Sequence, residues 1–355
     1  MYNKRMRILI VIPTLEMGGA EKTALYQAVG LKERGHDVTV LTLYNRPGFY
    51  TLPRDVKRIN LNIETKKDFL SLLKNFFILR KAIKTSGAEV VISNMSAPPV
   101  TAAWTLGIKT IFAEHTYFDT QSLSFNKKLA LNKADYVVFL SESDISAFKA
   151  ANFKSKPVII YNPAVKPIDM HNKKPAFFKP ANNAAAAGRF DYVKGFDILI
   201  DSWAIVVKEF PDWHLSIIGE GPQKEILARQ IKSLGLEQNI TLCQRLENLA
   251  NVYKYADLFV LSSRREGFPL ALCEAMSWGT PCAAFNCPNG PDVIIKDGID
   301  GLIIKNFTAK GLAEGIISLL KNPEKRAEFA KNAARITQKF SIEKYIDKYE
   351  ALCQK

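Results

Sequence analysis

The chain has 355 residues, of which 47% are hydrophobic and 24% charged, and its formal net charge is +14. This composition excludes a disordered chain, and the length favours two domains over one. No apolar run reaches the ~18 residues that span a membrane. The stretch MRILIVIPTL lacks a small-residue cleavage site and indicates a first strand, so we expect a cytoplasmic protein. The five cysteines are odd in number and lack the paired spacing of a zinc site, so we expect reduced, packed thiols.

Most of the positive charge lies in the first half of the chain. Residues 1–170 hold 24 Lys and Arg against 14 Asp and Glu, a balance of +10, which leaves +4 for the remainder. Such a basic half predicts an anionic partner, and nucleic acid, anionic lipid headgroups and phosphorylated substrates all qualify.

Apolar runs alternate with helical patterns through the first part of the chain. The predicted order is strand RILIVIPTL, glycine turn EMGG, helix AEKTALYQAVGLKERG, strand DVTVLTLY, a helix around FLSLLKNFFILRKAIK, and strands AEVVISN, KTIFAEH, ADYVVFLS and PVIIYNP. Strands that alternate with helices are typical of a parallel, doubly wound α/β sheet. We therefore predict a first domain at residues 1–165.

A segment with three prolines and four lysines, residues 166–182, predicts a linker. After it the alternation restarts with strand AAAAGRF, helix GFDILIDSWAIVVKEF, strand WHLSIIGEGP, a helix over residues 223–234, strand NITLCQR, a short helix, and strands LFVLSS, TPCAAFN and DGLII. We predict a second α/β domain at residues 183–335 and a terminal helix, residues 336–355, that packs back on the first domain.

Candidate site residues follow the strands, at the sheet edge where ligands bind in such folds. Gly18 and Gly19 lie between a strand and a helix, where backbone amides can face an anion. Arg189 and Lys194 precede another helix and suit a diphosphate. His115 follows a strand and can face a ligand, although a lone histidine is more often structural. A tight turn is the alternative explanation for the glycines. For the two cations the alternative is that they are solvated loop charges.

The stretch SSRREGFPLALCEAMSWGTP places Glu266 in a turn and Glu274 about two turns into the next helix. A carboxylate can accept hydrogen bonds from two vicinal hydroxyls, so each glutamate suits a sugar or a ribose. The helix start, where amides can receive a phosphate or a hydroxyl, is formed by Gly267, Phe268, Pro269 and Leu270. The alternative is an acidic residue that favours the helix dipole plus one surface glutamate.

Together these segments resemble the retaining glycosyltransferases of family 4, which have the GT-B fold. The resemblance covers nearly the whole chain, and the matching segments occur in the family's order. They are PTLEMGGAEK, AGRFDYVKGFDILI, IIGEGPQKEIL, ITLCQRLENLANVYKYADLFVLSSRREGFPLALCEAMSWGTP and GPDVIIKDGIDGLII. The resemblance implies two Rossmann-like domains facing across a cleft. It also implies sugar transfer from a nucleotide diphosphate sugar, with a UDP-sugar favoured over a GDP-sugar, to a surface polysaccharide or a lipid-linked glycan.

The resemblance also implies roles for single residues. Glu266 is expected to bind the donor sugar near its reacting carbon, and His115 to contact that sugar from the first domain, which makes these two the candidate catalytic residues. Arg189 and Lys194 are expected to neutralise the diphosphate, and Glu274 to hold the ribose. The other candidate donor-binding residues are Gly18, Gly19, Leu246 beside the base, Gly267, Phe268, Pro269 and Leu270. Gln244 stands where the family commonly has glycine, which leaves the nucleotide open.

In the mechanism that the resemblance implies, the departing phosphate takes the acceptor's proton on the same face of the sugar. Fixed cations and helix amides stabilise the leaving diphosphate. We therefore expect neither a metal nor another cofactor, and the sequence has no Asp-x-Asp motif to hold a metal.

Residues 66–84, KKDFLSLLKNFFILRKAIK, combine apolar residues with lysines. Such a helix can lie on an anionic membrane, or it can be a crossover helix that buries its apolar face on the sheet. Both interpretations are compatible if the basic residues at the rim of the helix contact lipid while the apolar residues pack on the sheet. We expect peripheral association with the inner face of the cytoplasmic membrane and an acceptor that is a glycan or is linked to polyprenyl diphosphate.

Rival functions are only partly excluded. Nucleic-acid binding is not expected, because the chain shows no recognised module and no aromatic platform. A nicotinamide-dependent dehydrogenase is not expected either, because the first turn lacks the GxGxxG pattern. A sugar-nucleotide epimerase of the same fold and a non-catalytic nucleotide-sugar binder both remain open.

Overall fold

A computed structural model of the chain describes residues 4–63, 68–169 and 172–355. The chain forms two compact units, the first from Met1–Pro163 with Ile342–Lys355 and the second from Ala164–Ser341. Each unit is built on one parallel sheet. The predicted α/β class, with two doubly wound sheets, is confirmed.

The first unit contains a seven-stranded sheet. Its strands are β1 (Arg7–Ile12), β2 (Asp37–Thr42), β3 (Lys57–Asn60), β4 (Val90–Asn94), β5 (Lys109–Ala113), β6 (Tyr136–Phe139) and β7 (Lys156–Ile159). Their spatial order is β3-β2-β1-β4-β5-β6-β7, with every pair parallel. The helices between them are α1 (Gly19–Glu33), α2 (Phe69–Ser86), α3 (Pro98–Trp104), α4 (Phe125–Lys133) and α5 (Glu142–Ala150).

The second unit contains a six-stranded parallel sheet in the order β10-β9-β8-β11-β12-β13. Its strands are β8 (Asn183–Ala187), β9 (His214–Ile218), β10 (Ile240–Cys243), β11 (Leu258–Leu261), β12 (Cys282–Phe285) and β13 (Leu302–Ile304). Its helices are α6 (Phe196–Glu209), α7 (Lys224–Ser233), α8 (Ala250–Tyr255), α9 (Leu270–Ser277), α10 (Pro291–Ile294), α11 (Ala309–Leu320), α12 (Pro323–Ala333) and α13 (Ile336–Lys339). The last helix of the chain, α14 (Ile342–Gln354), belongs to the first unit.

The topology of the first sheet explains why α14 is needed there. From β4 to β7 the chain advances in one direction, so right-handed crossovers place α3, α4 and α5 on one face. The other face over β5 and β6 receives no crossover helix. Tyr345, Ile346 and Tyr349 of α14 cover it, in one core with Ile111 and Val138.

A buried ionic cluster fixes α14 to the first unit. Glu350 of α14 is only 4% exposed, and its Oε2 lies 2.6 Å from Arg34 Nη1. Its Oε1 lies 3.0 Å from His36 Nε2. Because His36 Nδ1 accepts the Met6 amide proton, His36 Nε2 carries the proton that Glu350 accepts.

The helix on the first unit starts later than the sequence indicates. Residues 336–341 belong to the second unit, and α14 begins at Ile342 rather than at residue 336. The interruption lies at Phe340, which leaves helical geometry with φ −118° and ψ 59°. Its buried ring packs edge-on against Phe268 in the second unit, which holds it out of a continuous helix.

The expectation that the apolar residues of α2 pack inward is wrong for its first half. The buried row, at spacing four, is Ser71, Asn75, Leu79 and Ile83, so polar side chains take its first two positions. The exposed large apolar residues of α2 are Leu70, Leu72, Leu73 and Phe77. Leu79 and Ile83 are fully buried in a core with Leu9, Val11 and Val91. Phe76, Ile78 and Ala82 are half-buried against the same core. Lys66 and Lys67, also part of the predicted amphipathic segment, lie outside the described residues.

The five cysteines are free and buried. Burial raises the pKa of Cys243 to about 11 and that of Cys287 to about 12, so these thiols stay protonated at neutral pH. Within the described part of the chain, every helix is too short or too polar to cross a bilayer.

Candidate active site

The loop after β8 brings a lysine to the edge of the second sheet. A single 3-10 turn, Tyr192–Lys194, follows the strand and is capped by Asp191. Gly195 then adopts φ +63°, and a Cβ there would overlap the Ser262 carbonyl oxygen. This position therefore requires glycine, and it holds the loop against the end of β11.

Lys194 and Glu266 form an ion pair between the two loops. Lys194 Nζ lies 2.8 Å from Glu266 Oε1, and Ser263 Oγ donates to the same oxygen at 2.6 Å. The glutamate side chain is 9% exposed. Among the described residues, no side chain or amide is hydrogen bonded to Glu266 Oε2. The carboxylate is thus fixed by one oxygen and retains the other for a ligand hydroxyl.

Arg264, which the sequence did not single out, clamps the two loops together. Its guanidinium pairs with both carboxylate oxygens of Asp197, at 2.8 and 2.6 Å, and donates to the Tyr192 carbonyl at 2.7 Å. It also lies over the Tyr192 ring, 3.9 Å from the centroid. A bidentate pair of this kind gives both strength and direction, so it orients the loop that carries Lys194. The doubled arginine in SSRREG was the available signal.

The start of α9 lies beside Glu266. Pro269 precedes the helix and its side chain cannot cap the first amides, so the N–H groups of Leu270 and Ala271 have no intrahelical partners and no capping side chain among the described residues. Gly290, in the loop after β12, packs against Pro269 and Glu266 so closely that a Cβ would lie 2.9 Å from Pro269 Cδ. The helix start can therefore receive an anionic or hydroxyl group.

Glu274 lies in α9 and is buried with its tyrosine partner. The Tyr253 hydroxyl donates to Glu274 Oε2 at 3.1 Å, and both residues are at most 9% exposed. Burial, followed by the charge of Glu274, raises the pKa of Tyr253 well above its ordinary value. Tyr253 therefore remains a hydrogen-bond donor that orients the carboxylate. The sequence indicated Glu274 but not Tyr253.

The remaining candidates of the second unit differ in their partners and burial. Arg189 is 75% exposed and its Nε donates to Asp191 Oδ2 at 2.7 Å, whereas Lys194 is paired with Glu266. The two cations that the sequence groups together thus have different partners. Leu246 is half-buried in the loop after β10. Gly267 and Phe268 lie between Glu266 and the start of α9, and Phe268 is buried.

In the first unit, Gly18 and Gly19 begin α1 with a carboxylate beside them. Gly18 is extended and precedes the helix, and a Cβ there would overlap the Glu21 carboxylate. Burial raises the pKa of Glu21, and nearby Glu16 raises it further. The amides at this helix start therefore face a protein carboxylate in this structure, rather than an open anion site.

His115 follows β5 and sits in a buried hydrogen-bonded row. Its Nε2 lies 2.8 Å from Asn94 Oδ1, Asn94 Nδ2 lies 3.0 Å from Gln27 Oε1, and Gln27 Nε2 lies 3.0 Å from the Tyr345 hydroxyl. Burial lowers the pKa of His115 to about 4, so the ring is neutral at physiological pH. Within the described residues, its buried Nδ1 has no hydrogen-bond partner.

Comparison with known proteins identifies a family match for each part of the chain. Residues 17–164 match the family described as Glycosyltransferase Family 4, and residues 168–336 match Glycosyl transferases group 1. The amylovoran biosynthesis glycosyltransferase AmsD of Erwinia amylovora is 26% identical over 97% of this chain and 98% of its own length.

A second relative, from Campylobacter jejuni, is the GalNAc-alpha-(1->4)-GalNAc-alpha-(1->3)-diNAcBac-PP-undecaprenol alpha-1,4-N-acetyl-D-galactosaminyltransferase. It is 27% identical over 95% of each chain. Among solved structures, Anabaena Alr3699/HepE in complex with UDP and glucose superposes with a TM-score of 0.79. That likeness covers 98% of this chain and 99% of the other at 19% identity, and it supports the fold.

Proposed function

The chain belongs to the glycosyltransferases of family 4 and group 1, with the GT-B fold, and we propose that it is a retaining enzyme that transfers a sugar from a UDP-sugar to a glycan. The observation that carries this proposal is the Lys194–Glu266 pair beside the uncapped start of α9. The Lys194 ammonium, the Glu266 carboxylate and the first amides of α9 thus lie in two adjoining loops. A sugar attached to a diphosphate presents hydroxyl groups and negative charge to the same three features.

In the proposed reaction, the bond between the anomeric carbon and the diphosphate oxygen breaks as the acceptor oxygen bonds to the same carbon. The acceptor's proton passes to the departing phosphate oxygen on the same face of the sugar, so the configuration is retained. Lys194, Arg189 and the amides of Leu270 and Ala271 stabilise the negative charge of the leaving group. Glu266 holds the sugar through its hydroxyls, and Glu274 holds the ribose.

UDP is the proposed nucleotide, and metal independence is part of the same proposal. The structural neighbour HepE was solved with UDP and glucose, which makes UDP-sugars the first donors to examine. Fixed cations and helix amides can supply the charge that a metal supplies in other transferases. Activity should therefore persist in EDTA.

The proposed acceptor is a glycan of the cell surface, carried on a lipid. The Campylobacter jejuni relative acts on a glycan linked to undecaprenol through a diphosphate, and the Erwinia amylovora relative belongs to amylovoran biosynthesis. An acceptor with a diphosphate and a hydrocarbon chain also suits the basic first half of this chain, which carries +10 of the net charge.

We propose that the first unit binds peripherally to an anionic membrane on the cytoplasmic side. Eight of its large apolar side chains are exposed, and among the described residues all eight fall between positions 70 and 125. Four of them lie on α2, which has four basic residues and no acidic one. Apolar side chains rimmed by lysines are typical of helices that lie in a lipid interface.

The lipid part of the proposal is tested by co-sedimentation with phosphatidylglycerol and phosphatidylcholine vesicles. Binding to the anionic vesicles is expected, with losses for Leu73→Ser with Phe77→Ser and for Lys81→Glu with Lys84→Glu. Ile226→Ser changes an equally exposed residue of α7 in the second unit and should have no effect. Equal behaviour of all variants, or no binding at low salt, would reject this surface.

The transfer itself is tested by incubating the chain with UDP-sugars and a lipid-linked glycan extract, and then measuring UDP release and product linkage. Acceptor-dependent release with an α-linked product from an α-linked donor supports retention. Conversion of the UDP-sugar without an acceptor would instead indicate an epimerase. Donor binding with no turnover on any acceptor would indicate a non-catalytic binder.

A further inference from the structure

The hydrogen-bonded row that ends at His115 has a defined direction. Asn94 Nδ2 lies 3.0 Å from Gln27 Oε1 and 3.5 Å from the Val11 carbonyl oxygen. Only the N–H side of the amide can face a backbone carbonyl favourably, so this contact fixes the orientation of Asn94. Its Oδ1 then faces His115 Nε2, which must carry the ring proton to form the 2.8 Å bond.

The same direction continues to the C-terminal helix. Gln27 accepts from Asn94 through Oε1, and its Nε2 donates to the Tyr345 hydroxyl at 3.0 Å. Gln27 and Asn94 are fully buried and Tyr345 is 2% exposed. Buried amides in a satisfied row cannot rotate without leaving a polar atom unpaired, so the row holds a single arrangement.

The other ring nitrogen of His115, Nδ1, is not held in this way. In this tautomer Nδ1 carries no proton and can accept a hydrogen bond, yet it is buried without a hydrogen-bond partner among the described residues. An unpaired buried acceptor is unfavourable unless a ligand completes it. A sugar hydroxyl can rotate its proton toward the ring and so donate a hydrogen bond to this nitrogen.

We propose that Asn94, Gln27 and Tyr345 are positioning residues that hold His115 as the Nε2–H tautomer and so present Nδ1 as a hydrogen-bond acceptor for a substrate hydroxyl. The proposal rests on the transfer function only for the identity of that hydroxyl. It also gives α14 a role beyond covering the sheet, because Tyr345 of that helix accepts the hydrogen bond of Gln27 in the row that orients His115. His115 is then a substrate-contacting group, and the other three act through it.

The direct test is a two-bond 1H–15N correlation spectrum of 15N-histidine-labelled protein at pH 7, with His115 assigned by the His115→Gln variant. The wild type should show a protonated Nε2 and an unprotonated Nδ1 at His115. Asn94→Leu should give a mixture of the two tautomers, and Gln27→Met serves the same purpose if Asn94→Leu does not fold. Ser93→Ala removes a buried hydrogen bond from the same strand without touching the row, and should leave His115 unchanged.

Steady-state kinetics distinguishes the loss of a positioning residue from a general loss of folded protein. Asn94→Leu should lower kcat by about tenfold while KM for the nucleotide sugar changes by less than about twofold, because the nucleotide is held in the second unit. Tyr345→Phe should lower kcat less. A wild-type ring with Nδ1 protonated, or an Asn94→Leu variant with wild-type kcat, would overturn the proposal. If no acceptor supports transfer, the tautomer spectrum still decides the positioning claim while the proposed function fails.

Discussion

Lys194 and Glu266, which lie 72 positions apart in the sequence, meet at 2.8 Å in the second unit. The sequence suggested that Lys194 would face a diphosphate and Glu266 a sugar, and the structure shows them as one ion pair. Because the pair joins the loops after β8 and β11, each residue sets the position of the other. The carboxylate is therefore organised before any ligand arrives, which is the condition for efficient electrostatic catalysis.

Replacing Glu266 by Gln should lower the transfer rate by about a hundredfold without unfolding the protein, since pre-organised groups at a reacting centre have effects of this order. The variant keeps the shape but loses the charge that Lys194 and Ser263 orient. Steady-state turnover of a UDP-sugar measures the effect. Glu314→Gln, a change at an exposed glutamate of α11, is the matched control. A Glu266→Gln enzyme with activity close to that of Glu314→Gln would remove Glu266 from the site.

Replacing Glu274 by Gln should weaken nucleotide binding by about 2 kcal/mol, roughly thirtyfold, because a charged acceptor for the ribose is lost. Tyr253→Phe should weaken it less, because the carboxylate remains and only its orienting hydroxyl is removed. Titration calorimetry with UDP measures both. If Tyr253→Phe weakened binding more than Glu274→Gln, the ribose assignment would have to be abandoned.

The buried ionic cluster that fixes α14 should contribute strongly to the stability of the first unit. Glu350→Ala leaves His36 and Arg34 without their buried partner and should lower the free energy of unfolding by about 3 kcal/mol. Asp347→Ala, on the same helix but with a side chain 61% exposed, should change it by less than about 1 kcal/mol. Denaturant unfolding of both variants checks this, and equal losses would show that burial of the pair is not the cause.

Acid should destabilise the first unit through His115. Its pKa is lowered by burial to about 4, whereas an unfolded histidine titrates near 6.5. Between these values the unfolded state binds a proton that the folded state does not, so stability falls as the pH decreases through this range. From pH 7 to pH 5 the wild type should lose about 2 kcal/mol more than His115→Gln. Parallel losses in the two proteins would show that the ring is protonated in the folded state.

The regular part of the fold was predictable from apolar periodicity. Strands such as β1 and β4, buried along their length, gave continuous apolar runs, and both sheets followed from them. The strand β3, KRIN, was missed because it is an exposed edge strand without an apolar pattern. The helix α3 was missed because it begins with two prolines, which also mark loops.

The site was predictable where a single segment carries it and not where the fold joins distant segments. Glu266 and Glu274 stand in one recognisable stretch, so their positions were clear. The bidentate pair of Arg264 with Asp197 joins residues 67 positions apart, and the doubled arginine of SSRREG gives no indication of that distant partner. The row from Tyr345 to His115 depends on the return of α14, which spans 318 positions between Gln27 and Tyr345.

In the proposed function, the second unit binds a nucleotide diphosphate sugar through Lys194, Glu266 and Glu274. The most direct measurement is the thermal shift of the chain with UDP, GDP, ADP and their sugars, repeated with Glu274→Ala and Arg189→Ala. We expect stabilisation by UDP and UDP-sugars, strongly reduced in Glu274→Ala and partly reduced in the more exposed Arg189→Ala. Absence of stabilisation by every nucleotide at millimolar concentration would contradict the claim, as would full stabilisation of Glu274→Ala.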